Sequence, residues 1–91
     1  NFDIKSQKKM EKIIYKLKLF DIEKVQNIAL KYAKNSLKYE INSTLKELIY
    51  KILVGIKNND EIEQIFVDYY TYYSENKEDP VLEIINSYWE A

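Results

Sequence analysis

Apolar residues recur at helical intervals in five stretches of the chain. In the first, Met10, Ile13, Ile14 and Leu17 fall at i, i+3, i+4 and i+7, with Ser6 upstream as a candidate cap. The opposite side carries Lys5, Lys9, Lys12 and Lys16, so this helix is amphipathic with a lysine face. Phe20 is expected to cover its end and Asp21 to cap a second helix, with Ile22, Val25, Ile28, Ala29, Tyr32, Ala33 and Leu37 in register. Asn35 and Ser36 mark fraying near the end of that helix.

A third helix opens among Asn42, Ser43 and Thr44, where Thr44 and Glu47 have capping-box spacing. Leu45, Leu48, Ile49, Ile52, Leu53 and Ile56 give it the most hydrophobic face, which predicts a central position. Gly55 is expected near its end or at a close approach, because glycine inside a helix costs about 1 kcal/mol relative to alanine. After a turn at Lys57, Asn58 and Asn59, Asp60 and Glu63 repeat the capping box. They open a fourth helix, with Ile62, Ile65, Phe66, Tyr69 and Tyr73 inward and an end near Asn76. Asp79, Pro80 and Glu83 supply the fifth start: a cap, a proline at the first helical position and a carboxylate reaching back. Val81, Leu82, Ile85 and Tyr88 form its inner side, with Trp89 expected as a core plug. The prediction is an all-α single domain over residues 1–91, a compact bundle of about five short helices joined by short turns.

Composition narrows the chemistry. A 91-residue chain hides about 60–65% of its unfolded surface, so its expected stability is about 3–8 kcal/mol. One Gly and one Pro cannot furnish the turns of a multi-stranded sheet. The absence of Cys and His removes disulfides, zinc clusters, thiol nucleophiles and imidazole acid/base chemistry. A single glycine leaves no phosphate-cradling loop, and NNDEIE lacks the glycine and ligand spacing of a calcium loop. No catalytic residue, metal site or cofactor is expected. No apolar run approaches the roughly 18–20 residues of a membrane span and no signal-peptide pattern opens the chain, so a cytoplasmic location is expected.

Charge is informative by position. Residues 1–57 hold 13 Lys against six acids, net +7; residues 58–91 hold one Lys against nine acids, net −8. The overall −1 conceals a dipole. Either the two halves attract one another in the fold, or the acidic end meets a basic partner.

The fourth helix carries the least ordinary surface. At 100° per residue, Glu61, Asp68 and Glu75 line one edge with Tyr72 beside them, while Tyr70 projects on the other flank with Glu63 and an exposed Val67. Tyr69 and Tyr73 point inward. Nine Tyr against three Phe fits an interface, because tyrosine joins a rigid apolar ring to a polar tip.

The run ELIYKILVGIKNNDEIEQIFVDYYTYYSENKEDP, Glu47 to Pro80, resembles the small helical immunity proteins that protect bacteria from nuclease bacteriocins of the colicin and pyocin type. Those pair an apolar helix, a short turn and an acid-capped helix whose carboxylates face the toxin, followed by a proline and an aromatic-bearing segment. Here the paired tyrosines sit within the acidic helix rather than on the short helix after it, and the first two helices exceed the simplest family plan. The resemblance implies that Glu61, Glu63, Asp68 and Glu75 form the specificity surface, with Tyr70 and Tyr72 as anchors. The diverse immunity proteins of polymorphic toxins fit equally well.

The expected function is therefore non-catalytic: an antitoxin that neutralises a basic toxin domain through an acidic, Tyr-rich surface. Two alternatives are a nucleic-acid-binding regulator or replication accessory using the N-terminal lysine face, and a phage or host-interaction helical subunit. The lack of Arg, and with it of a forked phosphate and guanine donor, weighs against nucleic acid.

Overall fold

The computed structural model of the protein describes residues 4–17, 22–56, 59–76 and 78–90. These contain helices α1 (Ile4–Leu17), α2 (Ile22–Ser36), α3 (Ser43–Leu53), α4 (Asp60–Tyr73) and α5 (Pro80–Glu90), with no strand among the described residues. The radius of gyration, 12.6 Å, matches the roughly 12 Å of a compact chain of this length. The expectations for Phe20, Asp21, Lys57, Asn58 and the Leu17 side chain lie outside the described residues.

The predicted inner stripes form one core. Ile14, Val25, Ala29, Ala33, Leu45, Ile49, Leu53, Ile62, Phe66, Tyr69, Val81 and Ile85 are buried in one cluster. Helix α3 lies at its centre, touching α1, α2 and α5, as its hydrophobicity predicts. Ile52 and Ile56 are half-buried at its margin. Ile13, expected inside, is 37% exposed, because Gln7, Met10 and Ile14 define the inward bearing of α1 and Ile13 falls at its edge.

The helix starts correct the capping assignments. Asn42 caps α3 and Asn59 caps α4, their side-chain oxygens accepting from the Leu45 and Ile62 backbone N–H groups at 3.1 Å each. Thr44 and Asp60 are already inside the helices. Asparagine competes well for the cap, so the helix begins one or two residues earlier than capping-box spacing suggests. Ser6 likewise lies within α1. Asp79 does cap α5, but its own N–H donates to the Asn76 carbonyl at 3.0 Å, which takes the place expected for Glu83. Gly55 sits past the end of α3, where an added Cβ would meet only the Ile52 carbonyl at an ordinary 3.4 Å.

Ser36 is no frayed end. It is 2% exposed and its hydroxyl donates to the Ala33 carbonyl at 2.6 Å. That leaves the Tyr50 hydroxyl to donate to Ser36 Oγ, 2.8 Å away, while Tyr73 donates to the Ser36 carbonyl at 3.3 Å. On the far side of the same aromatic cluster, Tyr69 donates to Asp79 Oδ2 while Oδ1 accepts from the Val81 N–H. The rings of Tyr50 and Tyr69 lie 5.1 Å apart, and those of Tyr69 and Tyr73 4.5 Å apart. Lys46 caps the stack, its ammonium 5.4 Å from the Tyr69 ring. Satisfied hydroxyls allow these rings to be buried without orphaned polar atoms.

Burial raises the Tyr50 and Tyr69 phenols above the usual tyrosine range, and the Asp79 carboxylate adds to the rise at Tyr69. Their folded-state pKa values exceed the unfolded ones, so this contribution is complete below about pH 10 and shrinks as pH rises beyond it. Two such groups steepen the loss to about 2.7 kcal/mol per pH unit. Between about pH 9 and pH 12.5 helicity is expected to fall in one cooperative step, and the share of phenolate absorbance that belongs to Tyr50 and Tyr69, assigned by difference from Y50F and Y69F, appears with it. Tyr50 and Tyr69 ionising at ordinary tyrosine pH with the helices intact would contradict this network.

Candidate functional site

The buried stripe of α4 divides its outer surface into two flanks. Toward α2 lie Glu61, Gln64, Asp68 and Tyr72; toward α5 lie Glu63, Val67 and Tyr70. The six residues singled out in the sequence are thus not one continuous patch. Glu61, Asp68, Tyr72 and Glu75 share the first flank, and Glu63 and Tyr70 belong to the second.

On the α2 side, Glu61 pairs with Lys34 at 2.8 Å, both about half exposed at 52%. Such a pair contributes about 0–1 kcal/mol. Asp68 accepts from the Gln64 amide at 2.9 Å. Tyr72 is 64% exposed, its ring edge-on to Tyr73, and Glu75 is exposed beyond the helix end. The Lys34–Glu61 contact joins the basic half of the chain to the acidic half.

On the α5 side, the antiparallel approach of the two helices fixes the polar tips. Tyr70 donates to Asn86 Oδ1 at 3.1 Å, and Tyr88 donates to Glu63 Oε2 at 2.6 Å. That bond, then desolvation and the Glu63 and Asp60 charges, raises the Tyr88 phenol. Between the tips opens a shallow groove of about 450 Å³ with Phe66, Val67, Tyr70, Asn86 and Trp89 in its walls. Val67 is 49% exposed and Trp89 50%. Phe66, Tyr88 and Trp89 follow one another edge to face, with centroids 5.2 and 5.1 Å apart, which stiffens the floor and one wall.

Trp89 is therefore not the expected core plug. It has the inward bearing of α5 but stands one turn past Ile85, the last fully buried residue, where the core has ended. Sequence reasoning missed this groove, together with Asn86. A tryptophan in the last turn of the last helix is the one sequence signal that could have pointed to it.

The electrostatics of the face are one-sided. The 14 residues of α4 and 11 of α5 contain six carboxylates (Asp60, Glu61, Glu63, Asp68, Glu83 and Glu90) and no lysine. Among the described residues no group of three or more acids is placed to hold a metal ion, and no helix is long and apolar enough to cross a membrane. No family model matches the chain, and no curated protein or solved structure shows significant similarity to it. The face itself can stack rings on a cationic side chain, accept hydrogen bonds from ammonium or guanidinium groups, and bury a short apolar segment.

Proposed function

We propose that the protein is a non-catalytic binding module of the antitoxin type, acting in the bacterial cytoplasm, which docks the outer face of α4 and α5 onto a basic toxin domain such as a nuclease. The observation that carries this reading is the half-exposed Val67–Trp89 groove set in two helices with carboxylates and no cation. Rings in the groove supply affinity; Glu63 and Glu90 on its own side, with Asp68 and Glu75 on the other flank of α4, steer a basic partner and reject acidic ones. A nuclease so covered loses access to its polyanionic substrate. The exposed lysine row of α1 favours nucleic-acid binding as a second reading, against which stand the absence of Arg and a net charge of −1.

The test is capture from an extract of the native source on immobilised protein at about 50 mM salt, followed by elution with salt. The expected catch is a basic protein that elutes as salt rises and is not retained by the D68K/E75K variant. Acidic captured proteins, or equal retention by that variant, would overturn the reading.

A further inference from the structure

The outer face of α1 is the counterpart of the α4–α5 face within the same chain. Lys5, Lys8, Lys9, Lys12 and Lys16 are exposed, and Ile13 stands 37% exposed beside Lys9 and Lys16. The groove offers the complementary set, with half-exposed Val67 and Trp89 beside Glu63, and Asp60 close enough to act on Tyr88. Glu90 follows Trp89 on the same turn. Among the described residues no ion pair joins these α1 lysines to these carboxylates.

We propose that the groove's occupant, when no other partner is present, is α1 of a second copy of this chain. Ile13 of one copy seats against Val67 and Trp89 of the next, and Lys9 and Lys16, a turn to either side of it, reach the carboxylates at the rim. The two surfaces are different patches, so the contact is head-to-tail: a pair keeps a free groove on one copy and a free lysine face on the other. Exposed ion pairs are individually weak, which makes the association dependent on concentration and screened by salt. Self-association covers the same groove as the partner of the proposed function, yet it uses α1 and stands or falls apart from that partner.

Trp89 is the sole tryptophan, so its emission reports on the groove directly. Sedimentation velocity and emission are followed from about 20 µM to about 1 mM protein at about 20 mM salt. The average mass is expected to rise above 11.0 kDa as the emission shifts to the blue. Both changes reverse at about 0.5 M salt. K9E/K16E and D60K/E90K, with helicity checked by circular dichroism, each weaken association at least about tenfold, and mixing the two variants restores it. A mass that stays at 11.0 kDa throughout would overturn the proposal, as would association undiminished in K9E/K16E or growth in mass with unchanged Trp89 emission. K9E/K16E leaves α4 and α5 intact, so its capture of a basic protein separates failure here from failure of the proposed function.

Discussion

Asp79→Ala is expected to be among the most damaging single substitutions in this protein, although Asp79 looks in the sequence like an ordinary helix cap. One carboxylate oxygen accepts from the Val81 N–H at the start of α5; the other accepts from the Tyr69 hydroxyl inside the aromatic cluster. Losing the cap costs about 0.5–2 kcal/mol, and leaving a buried hydroxyl without its acceptor costs about 1–3 kcal/mol. Together these remove about 2–4 kcal/mol from a chain of this size, which lowers Tm by roughly 10–25 °C. Asp79→Asn should avoid more than half of the loss, because its amide can still cap α5 and partner Tyr69. The two contributions share a partner, so the double variant D79A/Y69F should be no less stable than D79A alone. Thermal unfolding measures all of these; Asp79→Ala within about 0.5 kcal/mol of the parent would remove Asp79 from the account of α4–α5 docking.

The largest functional effect is expected at Trp89. Its ring is half exposed, braced edge-on by Tyr88 and set beside Val67, the arrangement of a rigid anchor whose ordering cost is met before binding. Truncation to Ala should weaken partner binding by about 2 kcal/mol or more, roughly 30-fold, mainly through faster dissociation. The core ends at Ile85, so helicity should persist. Reversing Asp68 and Glu75 should instead slow association and flatten its dependence on salt. Binding kinetics from surface resonance with the captured basic protein separate the two effects. A W89A dissociation rate equal to the parent's would move the anchor elsewhere.

Much of the fold could be read from the chain because helical periodicity and the near absence of Gly and Pro point the same way. The five helices and most of the buried stripe follow from spacing alone. What spacing misses is polar burial. Tyr50 and Ser36 look like a border tyrosine and a frayed end until their hydroxyls are found facing one another across α2 and α3. Gln7 is hidden for a similar reason: its side-chain oxygen accepts from the Asn42 N–H at the start of α3. The candidate site was half legible. The inward and outward assignment of Tyr69, Tyr70, Tyr72 and Tyr73 needs only the helix angle. The division of the acidic residues between two flanks, and the groove between α4 and α5, depend on which neighbour each flank meets, and one helix's pattern does not contain that.

The most direct test of the central claim is a footprint by amide and indole NMR shifts of isotope-labelled protein, titrated with the captured basic protein. The largest perturbations are expected at Val67, Tyr70, Asn86 and the Trp89 indole, with smaller ones at Asp68 and Glu75. Perturbations centred on Lys5, Lys9, Lys12 and Lys16, with the Trp89 indole unmoved, would contradict it.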